Sequence, residues 1–193
     1  MTEIAPDRHN QILEAALACF LERGYLATTI ADIRQRSGAT TGSIYHFFDG
    51  KGALAIALLT EAVALWLALS AEALDPDAPA EAGIKASVRG LVMFGLTHPA
   101  LSRFMDEIRT LSSTLPEFQQ VDQLLGQGQH VTEARYRQWA KAGTVRDLPW
   151  PIADALMLGP TYSFLRSPGP SGTFNAAHTA ELLANAAWNT VCT

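Results

Sequence analysis

Residues 28–54 read TTIADIRQRSGATTGSIYHFFDGKGAL. Thr29 is a good N-cap for a helix over 30–36, and Asp32 three residues on completes a shortened capping box. Ser37-Gly38 breaks that helix. Thr40 caps another, running to about Phe47, and Asp49-Gly50 punctuates again. Upstream, Ile12, Ala15, Ala16, Cys19 and Phe20 recur at i, i+3, i+4, i+7 and i+8, one face of a first helix. Gly24 closes it, with Arg23 in the last turn. Three short helices with a Gly-containing turn between the second and third follow the helix-turn-helix plan.

The residue types suit DNA. A recognition helix lies close to a groove, so its exposed N-terminal positions must be small or hydrogen-bonding. Thr41, Gly42 and Ser43 meet that need. Ile44 and Phe48, four apart, anchor the helix on its scaffold. Tyr45, His46 and Lys51 offer phosphate donors, Lys51 beside the free N–H groups of a helix start. Charge runs the other way. The chain carries a formal −5, and residues 1–54 hold five Lys/Arg against six Asp/Glu. No bulk basic field attracts phosphate, so placed contacts must hold DNA.

Working outward, the pattern stays helical. A long apolar helix is expected over 51–74. Asp75-Pro76-Asp77-Ala78-Pro79 breaks the chain. Further helices are expected over 80–97, 100–111, 117–142, 152–166 and 176–191, with turns at 112–116, 148–151 and 167–173. The fold class is therefore all-α, about nine helices. An N-terminal three-helix DNA-binding domain (1–50) precedes a second helical domain (51–193). The stretch 52–71 has the length of a membrane span, but Glu61 near its middle would cost about 2.5–3.5 kcal/mol there. A buried helix is expected instead, and no membrane partner. Met1 to Asp7 is acidic and polar, without the basic segment and apolar core of a secretory signal. Cys19 and Cys192, the only cysteines, are no disulfide framework, so the expected compartment is the cytoplasm.

The run Ala15-Ala16, Phe20, Gly24-Tyr25, Thr28-Thr29-Ile30, Asp32-Ile33, Ser37-Gly38, Thr41-Gly42-Ser43-Ile44-Tyr45, Phe48, Lys51 and Leu54 closely resembles the tetracycline-repressor (TetR) family of bacterial regulators. The resemblance covers 12–54 residue by residue and the remainder as architecture. It implies a homodimer with the third helix of each subunit in a major groove of double-stranded operator DNA. It also implies that Thr29, Tyr45 and Lys51 hold phosphates while Thr41, Gly42, Ser43 and His46 face bases. Thr29 and Thr40 combine capping with DNA contact. Arg34 stands where the family usually has Ala, either as an added phosphate or base contact or as a solvated surface arginine. Phe47 replaces a common His or Tyr and removes a donor.

The second half supports dimerisation independently. Helices 152–166 and 176–191 carry Leu156, Met157, Leu158, Leu182, Leu183, Trp188 and Val191 over an apolar arc wide for a surface helix. Leu156, Leu182, Leu183 and Trp188 are the expected interface with a twin subunit. By resemblance, Trp66, Phe94, Phe104, Ile108 and Tyr162 lie on helices that enclose a small-molecule inducer, with His98, Arg103, Gln123 and Gln127 as polar contacts. Pro160 would free a carbonyl within its helix, a hypothetical pocket feature. The function so implied is a repressor released from a palindromic operator by a small molecule.

Two alternatives are distinct. The same fold could be a ligand-independent DNA binder controlled by a protein partner. An all-helical enzyme would need chemistry that the sequence does not supply. No G-x-G-x-x-G, P-loop, G-x-S-x-G or H-E-x-x-H occurs. His130 and Glu133 at i, i+3 lack further ligands, and Asp75 and Asp77 lack the later ligands of a calcium loop. No catalytic residue, metal or cofactor is expected.

Overall fold

The computed structural model describes residues 7–71, 75, 77–112, 114–115, 118, 121–167 and 175–193, with the helix but not the side chains for 121–130. Nine α-helices are found among them: α1 (Arg8–Arg23), α2 (Ile30–Ser37), α3 (Thr41–Phe47), α4 (Lys51–Leu69), α5 (Ala80–Thr97), α6 (Pro99–Leu111), α7 (Val121–Lys141), α8 (Trp150–Arg166) and α9 (Ala176–Val191). The all-α expectation holds. The one strand-like pairing among the described residues is an isolated bridge between Val145 and Cys192.

Helix ends differ from expectation where proline or a tightened turn intervenes. α8 begins at Trp150, two residues early, because Pro151 sits in the first turn, where a missing N–H costs nothing. Pro99 opens α6 for the same reason. α4 stops at Leu69: the Ser70 N–H is shared between the carbonyls of Trp66 (3.0 Å) and Leu67 (3.2 Å), and the ladder tightens.

The chain forms two compact units, residues 1–62 with 100–124, and 63–99 with 125–193. The first part of α4, and α6 from Ala100 onward, fall in the same unit as the helix-turn-helix.

In the first unit the predicted face of α1 is buried: Ile12, Ala15, Ala16, Cys19 and Phe20. Ile33, Ile44 and Phe48 join it, and α4 adds Leu54, Ala55, Leu58 and Leu59. That spacing is one stripe of α4; Glu61 lies outside it, exposed. α6 contributes Leu101, Phe104 and Ile108 to the buried set. Phe104 stacks on Phe20 with centroids 5.5 Å apart, and Phe118 packs on Tyr25 at 4.8 Å. Thr28, 1% exposed, satisfies its hydroxyl by donating to the Gly24 carbonyl (2.9 Å) and the Cys19 carbonyl (3.1 Å).

The second unit is built on α5, α8 and α9, which pack on one another. Ala80, Ile84, Val88 and Val92 of α5 meet Ala153 and Met157 of α8, and Ala180, Ala184, Ala187 and Val191 of α9, with Tyr136 of α7 in the same cluster. The alanines let α9 approach α5 closely. The Tyr136 hydroxyl donates to the Arg146 carbonyl at 2.7 Å, and burial pushes its phenol up from the ordinary value.

Candidate DNA interface and small-molecule cavity

Two caps set the helix-turn-helix. The Thr29 hydroxyl accepts from the Asp32 N–H (3.2 Å), and the Asp32 carboxylate accepts from the Thr29 N–H (2.9 Å), a reciprocal capping box. The Thr29 hydroxyl also donates to that carboxylate at 2.6 Å. These bonds hold the Asp32 carboxyl below its ordinary range, the Thr29 hydroxyl first, then the Thr29 N–H, with the Arg23 charge adding. α2 ends at Gly38, whose φ of 64° and ψ of 13° lie in the left-handed region that favours glycine. The Thr40 hydroxyl then accepts from the Ser43 N–H at 3.0 Å and starts α3.

α3 has seven residues and one fully buried side chain, Ile44. Phe48 follows at 6% exposure, so the two anchors sit four apart as expected. Around them Thr41, Gly42, Tyr45 and His46 are exposed, and Ser43 is half-buried. Phe47 is 40% exposed. His9 of α1 packs on Phe48 (centroids 4.9 Å apart) and edge-on to Phe47 (5.8 Å), fixing the end of α3. The result is a short helix held from beneath, with hydroxyls, a glycine backbone and an imidazole outward.

The cations divide into occupied and open. Arg23 pairs with Asp32 at 2.7 Å and Arg36 with Glu22 at 2.6 Å. The Arg36 contact leads in lowering the Glu22 carboxyl from its usual range. Lys51 is engaged within the protein. Its Nζ donates to the carbonyls of Tyr25 (2.8 Å) and Leu26 (3.3 Å) and lies 4.4 Å from the Tyr25 ring centroid. Two of its three protons are so engaged, which makes it first a brace of the α1–α2 joint. Arg34 is exposed, and none of the described hydrogen bonds or ion pairs engages its guanidinium.

Sequence reasoning missed Glu107. Its Oε1 accepts the Tyr25 N–H at 2.7 Å and approaches Gly24, where an added Cβ would lie 3.4 Å away. A carboxylate on α6 therefore holds the joint between α1 and α2. Nothing local marks it, because its partner lies 82 residues away.

A cavity of about 50 Å³ opens within the second unit. Trp66, Leu67 and Ser70 line it from α4, and Ile84 and Ser87 from α5. α7 supplies Thr132, Arg135, Tyr136 and Trp139; α8 supplies Trp150, Asp154, Met157, Leu158 and Tyr162. Arg135 is 6% exposed. It donates to the Ala78 carbonyl at 3.1 Å and lies 4.9 Å over the Trp139 ring. Trp139 in turn abuts Gly83, where a Cβ would fall 2.6 Å from its ring.

Of the pocket residues expected from sequence, Trp66 and Tyr162 line this cavity. The others do not. Phe104 and Ile108 are core of the first unit, because α6 packs with the helix-turn-helix. Arg103 is exposed on that helix. Phe94 is wholly buried and His98 caps α5 beside it, centroids 5.9 Å apart. Gln123 and Gln127 lie outside the described side chains, as does His130. Pro160 is exposed and away from the cavity. The missed lining residues carried a signal: Ser70 stands four after the expected Trp66, Asp154 and Leu158 lead by fours to the expected Tyr162, and Arg135 and Trp139 make an i, i+4 pair of their own.

The expected interface residues divide as well. Leu156 and Leu182 are exposed, at 36% and 58%, and Ile152 beside them at 50%. Leu183 and Trp188 are half-buried against the core of their own unit.

Comparison with known proteins meets this geometry at the helix-turn-helix. Residues 12–58 match the model of "Bacterial regulatory proteins, tetR family". Residues 12–58 thus carry the DNA-binding region of that family. A curated relative is the HTH-type transcriptional repressor KstR2 of Rhodococcus jostii, 31% identical over 108 residues, covering 54% of this chain and 52% of the relative. The chain thus spans about half or less of the length of the curated relatives it matches. Over the whole fold, the ketosteroid transcriptional regulator KstR2 of Mycobacterium tuberculosis superposes with a TM-score of 0.78 at 23% identity, covering 98% of this chain and 97% of that one. AibR, solved in complex with isovaleryl coenzyme A and operator DNA, gives 0.77 at 17% identity, covering 93% and 97%. At these identities the likeness is one of fold.

Proposed function

We propose that this chain is a TetR-family transcriptional repressor that holds a palindromic operator as a homodimer and releases it when a small molecule enters the cavity of the second unit. The carrying observation is α3, whose Thr41, Gly42, Tyr45 and His46 stand exposed over the buried anchors Ile44 and Phe48. That is a surface for a major groove. The likeness to AibR, named with both an acyl-coenzyme A and operator DNA, supports a fold able to carry both ligands. The dimer reading rests on Ile152 and Leu156 of α8 and Leu182 of α9, large apolar side chains left in water.

Coupling is assigned to α4. Its early turns carry Leu54, Leu58 and Leu59 of the first unit's core, and its last turns carry Trp66 and Leu67 of the cavity wall. A 100-fold loss of DNA affinity needs about 2.7 kcal/mol of coupling, so the ligand must prefer the DNA-incompetent state by that much.

A shift assay on the promoter beside the chain's own gene tests the reading. Thr41→Ala should chiefly relax base preference; Arg34→Ala should weaken all sequences alike and flatten the salt slope by about one. Half-sites should lie one helical turn apart or a multiple, about 34–36 Å for one turn. Binding as a monomer to an asymmetric site would overturn the dimer reading. Heating the chain with a metabolite library tests the ligand: one present at 100 times its Kd adds about 2.7 kcal/mol of stability. No hit from a broad library favours control by a protein partner.

A further inference from the structure

Residues 24–28 join α1 to Thr29, the N-cap of α2, and turn on Gly24 at a φ of 78°. Part of this joint closes on itself. The Gly24 N–H donates to the Phe20 carbonyl at 2.8 Å, and the Gly24 carbonyl accepts from the Thr28 N–H (3.2 Å) and hydroxyl (2.9 Å). Tyr25 and Leu26 bond elsewhere. The Tyr25 N–H donates to Glu107 of α6, and the carbonyls of Tyr25 and Leu26 accept from Lys51 at the start of α4. A carboxylate and an ammonium from two other helices thus grip the peptide groups on either side of one Cα.

Packing fixes both ends of the Glu107 contact. Phe104 and Ile108, one turn before Glu107 and next to it on α6, are wholly buried, and Phe104 stacks on Phe20 of α1. The Tyr25 ring, 1% exposed, lies against Phe20 (centroids 5.4 Å apart) and Phe118 (4.8 Å). The bond is 2.7 Å long, so a slip of α6 against α1 by about 1 Å would break it. The other polar ties between α1 and α2, Arg23 to Asp32 and Arg36 to Glu22, are solvent-accessible ion pairs and hold weakly.

We infer that Glu107 is a positioning residue for operator binding. By fixing the Tyr25 N–H it sets the direction in which the chain leaves α1 for α2, and so where α3 presents Thr41, Gly42 and His46. The inference rests on the reading of α3 as the operator surface. A hydrogen bond to a charged acceptor is worth about tenfold or more in an equilibrium between an arrangement that has it and one that lacks it. Operator affinity falls with the populated fraction of the competent arrangement. Charge alone gives the opposite sign: removing a carboxylate lessens the repulsion of phosphate and should tighten binding.

The test is a shift assay of the full chain on the promoter beside its own gene. It is run over a salt series, at a temperature where circular dichroism shows every variant folded. Glu107→Ala should weaken operator binding about tenfold. It should leave the slope of log affinity against log salt unchanged, because no phosphate contact is lost. Glu107→Gln keeps an acceptor oxygen and should stay within about threefold of the parent. Glu107→Asp keeps the charge but draws it back by one methylene, and should weaken binding about three- to tenfold; it carries the comparison if Glu107→Ala does not fold. Ile108→Val, a core trim beside Glu107, should lower the melting temperature yet leave operator affinity within about twofold. Unchanged affinity in Glu107→Ala and Glu107→Asp, with lower melting temperatures, would reduce Glu107 to a stabilising contact and overturn the inference. Glu107→Gln binding as weakly as Glu107→Ala, or a salt slope changed by about one, would overturn it too. A parent that binds this promoter no better than other DNA would sink the operator reading and this inference with it. A parent that binds, with variants that match it, would overturn this inference alone.

Discussion

Gly42 is the second residue of α3, and nothing in the protein requires it to be glycine. An added Cβ would meet only the Thr40 hydroxyl, at 4.0 Å, an ordinary contact. Judged on folding alone, Gly42→Ala should help: a helical glycine costs about 0.5–1 kcal/mol relative to alanine. For a chain of this size that is a melting temperature about 1–4 °C higher. DNA should reverse the sign. If the α3 backbone at Gly42 lies against base edges, a methyl group there must displace protein or DNA, an overpacking of about 1–3 kcal/mol, or about 5- to 150-fold in operator affinity per half-site. Thermal unfolding and a shift assay on the operator, both at one fixed salt concentration, read the two effects on one protein. The reasoning is refuted if Gly42→Ala binds operator as the parent does while melting higher, because the glycine then faces no DNA. A lower melting temperature would refute the folding half.

Gly90→Ala should do the opposite within the fold: its Cβ would fall 2.1 Å from Ser70 Oγ and 2.9 Å from Ser70 Cα, so urea unfolding should show a loss of about 1–3 kcal/mol despite the better helix propensity. Glu107→Ala removes the acceptor of the Tyr25 N–H and should cost about 1–3 kcal/mol by the same measurement, with Glu107→Gln costing less because an amide oxygen can still accept. Leu182→Glu should leave the subunit folded, since Leu182 is 58% exposed, but shift it to monomer in sedimentation and weaken operator binding; a dimer that persists would place the interface elsewhere. The Asp32 carboxyl is depressed in the folded state, so its contribution is complete above the unfolded carboxylate pKa, about 4, and is lost as pH falls through the lower folded value. The stability gap between the parent and Asp32→Asn, read by urea unfolding across pH, should therefore be full at neutral pH and close on acidification.

Much of the helix-turn-helix was legible because its signals are local. Thr29 with Asp32, Gly38, Thr40, and Ile44 with Phe48 act within one or two turns, and the structure places each in its expected role. The exposed leucines of α8 and α9 were readable for the same reason: an apolar arc wider than one core can cover shows in the periodicity. Leu183 and Trp188 sit half-buried against the core of their own unit; periodicity gives the arc but not which edge of it turns inward. The cavity was harder. Phe104 and Ile108 have the composition of a pocket wall, yet α6 packs them with α1, a choice made by chain path. Lys51 fits the pattern of a phosphate donor, yet finds the Tyr25 and Leu26 carbonyls, which the loop after α1 turns toward it. Glu107 depends on a pairing 82 residues long, and no local rule reaches that far.

The ion pairs of the first unit bear on how the protein finds its site. With Arg23 and Arg36 matched to Asp32 and Glu22, and Lys51 held by carbonyls, little positive charge remains to displace counterions from arbitrary DNA. If the chain holds an operator as proposed, one-dimensional sliding along the chromosome would then be brief, and the search would proceed by collisions from solution. Few copies would be stored on bulk DNA. The free concentration would stay near the total, and operator occupancy would follow the level of synthesis almost directly, without a genomic reservoir to buffer it.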